Sequence, residues 1–224
     1  MLSIQDENYE KAVKEFETLQ SRYPYGRYAQ QAQMEIAYAY YKHDEPAPAL
    51  AALDRFAKAY PNSAHLDYAL YLKGIVNFNE NINSLLGTWL KQDPSERDPA
   101  ALRDSFDSFK ELVTRFPNSL YAPDARIRMQ FLLNTLATSD LHVAAYYLRR
   151  GAYVAAANRA KRVLIDYPQT PQTREALQIL VQAYDAMGMK DLSDDTKRVL
   201  ALNLAKDGDT AKTKESSPWW KFGN

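Results

Sequence analysis

The residues of this chain best equipped for chemistry are its three histidines, its tyrosines and a few charges set inside apolar runs. His43, His65 and His142 stand far apart, and none has a second histidine at the spacing that a zinc site on a helix needs. The chain contains no cysteine, which removes thiolate metal sites, disulfides and thiol nucleophiles without fixing the redox compartment. No glycine-rich phosphate loop and no nucleophile elbow appears. An enzyme needs converging acid, base and nucleophile, so the sequence is read as non-catalytic, with no cofactor and no metal. The tyrosines point to binding. Tyr38 and Tyr41, and again Tyr68 and Tyr71, are spaced so that on a helix both rings of a pair share one face. Arg159 lies inside the apolar run Val154 to Ile165, where an arginine calls for a carboxylate partner.

Positioning such side chains is the task of a repeated element. An aromatic-proline pair recurs as Tyr23-Pro24, Tyr60-Pro61, Phe116-Pro117 and Tyr167-Pro168. Twelve residues before each proline stand Ala12, Ala49, Ser105 and Ala156; eight before stand Phe16, Leu53, Phe109 and Ala160; eight after stand Ala32, Ala69, Ala125 and Ala176. Small residues at fixed offsets on both sides of a helix-stopping proline predict two helices pressed together across a short turn. The spacing of the hairpins then predicts a stacked, curved array rather than a globular core.

Composition agrees with an all-α chain: seven glycines in 224 residues, no long Val/Ile-rich alternation, and abundant good helix formers. Lys plus Arg (28) equals Asp plus Glu (28), which gives no overall electrostatic case for a nucleic-acid partner. No apolar run reaches the roughly 18 residues that span a bilayer, and Met1-Leu2-Ser3 does not read as a secretion signal. Taken alone, those two features default to a soluble cytoplasmic protein.

In chain order, the pattern predicts a helix from Tyr9 to Leu19, read as the second half of a first hairpin that is truncated. Helices follow over 28–42 and 46–59, then about Ala64 to Asn79, with Gly74 at the closest contact between two helices. Pro117 follows Pro61 by 56 residues, against 37 between Pro24 and Pro61, so extra chain is inserted at 80–98. It is read as a long loop anchored by Leu85, Leu86, Trp89 and Leu90. Asp98-Pro99 reads as N-cap and first helical residue of the helix to Thr114, and Asp140 as the cap of a helix separate from the one over Ala122 to Ala137. Gly151 ends that helix, and helices follow over Val154–Ile165, Thr173–Met187 and Leu192–Leu204. The expected organisation is an N-terminal array over 1–115, a C-terminal array over 116–206 and a mobile tail over 207–224. Within that tail Trp219, Trp220 and Phe222 read as a docking peptide, a membrane-interface contact or a free end.

The offsets match the tetratricopeptide repeat, with Ala37 at its small contact position and Tyr40 at its aromatic one. The fold class expected is all-α: a right-handed superhelical array of about five TPR-like helical hairpins, the first truncated. In that frame Gln31, Glu35, Tyr38, Tyr41, Lys42, Tyr68, Tyr71 and Ile75 turn toward the concave face, where tyrosines offer flat apolar area and a hydroxyl to an extended peptide. Ordinary packing between repeats is the competing role for these tyrosines, above all for Tyr40 and Tyr71. For Arg159 two partners stand open: a carboxylate inside the array, with Asp124, Asp140 and Glu175 as candidates, or one on another protein, with Tyr153 and Asn158 beside it.

At a finer level the chain resembles the lipoprotein family of the bacterial outer-membrane β-barrel assembly (Bam) complex. The resemblance rests on Ser21 to Ala32 (Ser-Arg-Tyr-Pro-Tyr-Gly-Arg-Tyr-Ala-Gln-Gln-Ala), Ala37 to Lys42, Arg97-Asp98-Pro99 leading into Ser105 to Phe109, Phe116 to Ser119, Ala145 to Tyr147, Arg150 to Val154 and Asn158-Arg159. It implies a non-catalytic scaffold on the periplasmic face of the outer membrane, lipid-anchored through a region that precedes this chain. The implied partners are the POTRA region of the barrel-forming subunit, docked near Tyr153, Asn158 and Arg159; accessory Bam lipoproteins; and the aromatic-ended C-terminal segments of unfolded outer-membrane proteins, received in the tyrosine groove. Two other readings stay open: an envelope repeat protein of Tol-Pal or peptidoglycan coordination, and a cytoplasmic co-chaperone-like adaptor.

Overall fold

A computed structural model describes residues 9–23, 28–88 and 99–215. Every regular element among them is a helix: α1 Tyr9–Arg22, α2 Ala29–Lys42, α3 Pro46–Ala59, α4 Leu66–Thr88, α5 Ala100–Arg115, α6 Ala122–Arg149, α7 Tyr153–Asp166, α8 Thr173–Ala186 and α9 Lys190–Glu215. The described residues up to Leu132 form one compact unit and those from Leu133 a second. In the first, α1 packs on α2, α2 on α3, α3 on α4 and α4 on α5; in the second, α7 packs on α8 and α8 on α9. This is the consecutive hairpin packing of a tetratricopeptide-like array.

The proline-referenced columns are its seams. Ala12, Ala49, Ser105 and Ala156 are buried, as are Ala32, Ala69, Ala125 and Ala176, and at the bulky position Leu53, Phe109 and Ala160. Phe16 is half-buried against Ala12, Val13 and Ala39. Gly74 shows why the small residues are needed. A Cβ there would stand 2.5 Å from Cε1 of Phe109, and the Ser105 hydroxyl donates to the Gly74 carbonyl at 2.9 Å. Phe109 is fully buried in that seam, where truncation to alanine costs about 3–5 kcal/mol.

The turns repeat as closely as the helices do. Ser63, Ser119 and Thr170, each two residues past its proline, donate a backbone N–H to the carbonyl of the aromatic residue before that proline, at 3.0, 3.0 and 3.1 Å. The serine side chains then reach back one repeat: Ser63 Oγ donates to Gln30 Oε1 at 3.1 Å and Ser119 Oγ to Asp67 Oδ2 at 2.7 Å. Gln30 and Asp67 are both six residues past a proline, so one hydrogen bond is used twice at the same register.

Four sequence expectations are corrected. α4 runs on to Thr88 where a loop was expected, because Ile82, Leu85 and Leu86 keep helical spacing and no proline intervenes before Pro94; Trp89 and Leu90 lie outside the described residues. Pro99 occupies the N-cap position of α5, which begins at Ala100, and Asp98 lies outside the described residues. α6 is continuous from Ala122 to Arg149, so Asp140 sits in mid-helix instead of capping one. After Pro123 in its first turn the helix meets no further proline or glycine, so the polar run is absorbed, and the Thr138 hydroxyl bonds back to the Asn134 carbonyl at 2.9 Å. α9 extends through Glu215, past the expected start of the tail. Pro218 to Phe222 lie outside the described residues. Gly151 ends α6 as expected, with φ +73.

Candidate functional site

The first unit gathers aromatic and polar side chains from α2, α4 and the start of α6. On α2, Gln31, Glu35, Tyr38, Tyr41 and Lys42 fall along one stripe; Gln31 and Lys42 are exposed and the other three half-buried. The Tyr38 and Tyr41 rings lie 6.3 Å apart, tilted at 52°. Asn79 of α4 donates from Nδ2 to the Tyr41 hydroxyl at 2.9 Å, which joins the two helices and fixes that ring.

On α4, Tyr68 and Tyr71 are half-buried and meet Tyr121, at the entry to α6. The Tyr68 and Tyr121 centroids are 5.4 Å apart, and Tyr71 stacks on Tyr121 at 4.8 Å and 21°. Tyr71 donates its hydroxyl to Asp124 Oδ2 at 2.7 Å, and Arg128 Nε donates to the same oxygen at 2.6 Å. The Arg128 guanidinium lies over the Phe78 ring at 4.8 Å from its centroid, and Phe78 meets Phe131 edge-on at 5.6 Å. Ile75, grouped with this face from the sequence, is only 8% exposed and belongs to the core. Tyr71 packs between repeats, stacked on Tyr121 and bonded to Asp124.

Electrostatics follow from burial and neighbours. Burial pushes the Tyr68 hydroxyl up to about 12, reinforced by Tyr38, Tyr121, Glu35 and Tyr41, so at neutral pH it is a proton donor. Tyr71 is raised by burial and then by the Asp124 carboxylate it bonds. For Asp124 burial acts upward, but the hydrogen bonds from Arg128 and Tyr71 outweigh it and hold the carboxyl below its ordinary value. The face is therefore a row of neutral phenols with charge at set points, suited to flat side chains and backbone polar groups. Tyr40, one residue away on α2, points elsewhere: it packs on the α1 cluster and its hydroxyl lies 3.4 Å from Glu17 Oε1.

The proline-based count would have found Asp124, Arg128, Phe131 and Phe78, which a reading of tyrosines alone passed over. Seven residues past the proline stand Tyr68 and Asp124; eleven past, Glu35 and Arg128; fourteen past, Tyr38, Ile75 and Phe131; seventeen past, Tyr41 and Phe78.

In the second unit, Arg159 of α7 has its carboxylate inside the chain. Nη1 donates to Asp140 Oδ1 at 2.8 Å, and Arg162 Nε approaches Asp140 Oδ2 at 3.4 Å. The Asp140 side chain is 8% exposed and that of Arg159 37%. Of the three carboxylates considered for Arg159, Asp140 is the partner; Asp124 is committed to Tyr71 and Arg128. Tyr153 is half-buried and Asn158 exposed. Val154 and Ile165 are 64% and 75% exposed on the same helix. With Asn158 between them at helical spacing, they make an open apolar-edged stripe.

Elsewhere, His43 Nδ1 lies 2.8 Å from Glu45 Oε1. Among the described residues no group of three or more His, Cys, Asp or Glu could hold a metal ion, and no helix is long and apolar enough to cross a membrane.

Comparison with known proteins adds the family. A profile described as "Outer membrane lipoprotein" (YfiO) matches residues 2–200. The outer membrane protein assembly factor BamD of Neisseria meningitidis serogroup A is 46% identical over 221 residues, covering 98% of this chain and 82% of that protein. The protein of the same name from Vibrio cholerae is 38% identical over 201 residues, covering 90% and 83%, and that from Haemophilus influenzae 33% over 204 residues, covering 91% and 78%.

Proposed function

The chain belongs to the outer membrane lipoprotein family whose matched members are named BamD, outer membrane protein assembly factors, and from that premise we propose that it is a scaffold subunit of the machinery that assembles β-barrel proteins into the outer membrane. In this reading it makes and breaks no covalent bond. It stands on the periplasmic side, held to the membrane by a lipid anchor. The tyrosine face of the first unit receives extended segments of unfolded barrel proteins. The α7 stripe of the second unit docks the POTRA region of the barrel-forming subunit, and accessory lipoproteins add to the complex.

The observation that carries the reading is the face itself. Five tyrosines, from α2, α4 and the turn that enters α6, present half-buried rings and hydroxyls that the array does not fully consume. An aromatic-ended strand would stack on those rings and bond its backbone to the hydroxyls, and each immobilised tyrosine loses little rotamer freedom. Arg159 refines the docking half. Because it is closed onto Asp140, recognition by α7 falls to its exposed neighbours Val154, Asn158 and Ile165, with Arg159 holding the helix in place.

The test is the affinity for a synthetic peptide copying the aromatic C-terminal strand of a barrel protein. The double variant Tyr38→Ala with Tyr41→Ala should bind about tenfold more weakly or worse, the loss expected for interface aromatics, with helicity retained. Unchanged affinity would reject this face.

A further inference from the structure

The tyrosine face contains one cation already held between an aromatic ring and a carboxylate. Arg128 lies over Phe78 at 4.8 Å and donates to Asp124 at 2.6 Å, so the α6 end is electrically closed. The α2 end has the same ingredients, but its one cation, the exposed Lys42, stands two turns along from Glu35 and forms no ion pair with it. Glu35 sits one helical turn before Tyr38, which is one turn before Tyr41; these two rings are in contact, and Glu35, Tyr38 and Tyr41 all lie close enough to Tyr68 to act on its hydroxyl. Glu35 is half-buried, and among the described residues no lysine, arginine or histidine pairs with it. The two ends are related by the repeat, since Glu35 and Arg128 occupy the same register, eleven residues past their prolines.

A half-buried carboxylate on the same helix stripe as two electron-rich rings in contact offers a receptor for a cation. The ring quadrupole draws positive charge to its face, and the carboxylate adds direct Coulomb attraction where burial weakens screening. The rings are also held before a ligand arrives, Tyr41 by Asn79 and Tyr68 by Tyr121, which lowers the ordering cost of binding.

We propose that Glu35, Tyr38, Tyr41 and Tyr68 form a subsite for a lysine or arginine side chain of the bound segment, so that the face selects extended peptides carrying a cation beside their aromatic residues. The proposal deepens the peptide-binding reading of this face and rests on it. Charge complementarity names the occupant: a neutral aromatic strand fills the rings and leaves Glu35 half-desolvated and alone, whereas a cationic strand satisfies both. An acidic strand meets repulsion at that point.

The experiment uses the full chain and three synthetic peptides of alternating phenylalanine and threonine that differ at one central position, occupied by lysine, glutamine or glutamate. Titration calorimetry at low salt should give an affinity about tenfold higher for the lysine peptide than for the glutamine one, in keeping with a partly desolvated cation contact, and weaker binding again for the glutamate peptide. Salt should narrow the gap between lysine and glutamine. Glu35→Gln, which removes the charge and keeps the shape, should erase the gap between the lysine and glutamine peptides. Equal affinity for the lysine and glutamine peptides, or a preference that survives Glu35→Gln, overturns the subsite while the peptide face stands. Failure of all three peptides to bind overturns both.

Discussion

The two units solve the same problem in opposite ways. Each sets charged side chains into a helical seam where unpaired charge is costly. In the second unit the answer is internal: Asp140, almost fully buried in the middle of α6, is closed by Arg159 and Arg162 of α7. In the first unit it is internal at one end, where Asp124 takes bonds from Arg128 and Tyr71; at the other, the half-buried Glu35 shares its helix stripe with Tyr38 and Tyr41. On the proposed reading, the difference separates charge that builds the array from charge that is available to a ligand. Residue type alone does not tell them apart, since an arginine in an apolar helix and a glutamate beside tyrosines invite the same guess of an interface.

The contrast can be broken most forcefully at Arg159. Arg159→Met keeps the stem but leaves Asp140 with only the longer contact to Arg162, and should cost about 2–4 kcal/mol, below the full penalty for a broken buried pair because Arg162 remains and Arg159 is partly solvated. Thermal unfolding would register it as a clear fall in melting temperature; a change of less than about 0.5 kcal/mol would mean that Arg159 is not a structural residue. A smaller effect is expected inside the tyrosine face. Tyr71→Phe preserves the stack on Tyr121 and removes the hydroxyl that bonds Asp124, for a cost of about 1 kcal/mol by denaturant unfolding. A loss of 3 kcal/mol there would make the face a structural core rather than an open surface.

How much of this was legible depends on what a repeat makes visible. Ala12, Ala49, Ser105 and Ala156 share an offset from a proline because two backbones must approach there, and no other side-chain size fits; the seam could be read before any coordinate was known. Gly74 was legible for the same reason, against Phe109. Asp140 was not, because Thr-Ser-Asp has the local chemistry of a helix cap and only the tertiary position of Arg159 gives the carboxylate a reason to sit in mid-helix. The end of α4 was missed because asparagines weaken a helix without stopping one. The partners of the tyrosines were hidden by a choice of residue type: Asp124 and Arg128 stand where Tyr68 and Glu35 stand in other copies, so a search for aromatics passes over them although the register marks them.

The smallest effect sharpens the electrostatic side of the comparison. Because the folded state holds Asp124 below its ordinary value, its bonds contribute stability that is fully present above the unfolded-state carboxyl range and is lost as pH falls through the depressed folded value. The side chain is 46% exposed, so screening limits the contribution to about 0.5 kcal/mol. Asp124→Asn should flatten the acid limb of the stability curve by about that amount and leave the curve's shape near neutral pH unchanged. An acid limb identical to that of the parent chain would remove Asp124 from the account.

The central claim is that the first unit's tyrosine face, and not the α7 stripe, receives the extended substrate segment. It is tested most directly by placing a photo-activatable phenylalanine analogue at position 38 or at position 158 of the full chain, adding an unfolded barrel protein and illuminating. The account predicts strong crosslinks to the unfolded protein from position 38 and a background level from position 158. Crosslinks of equal yield from both positions, or from position 158 alone, would contradict it.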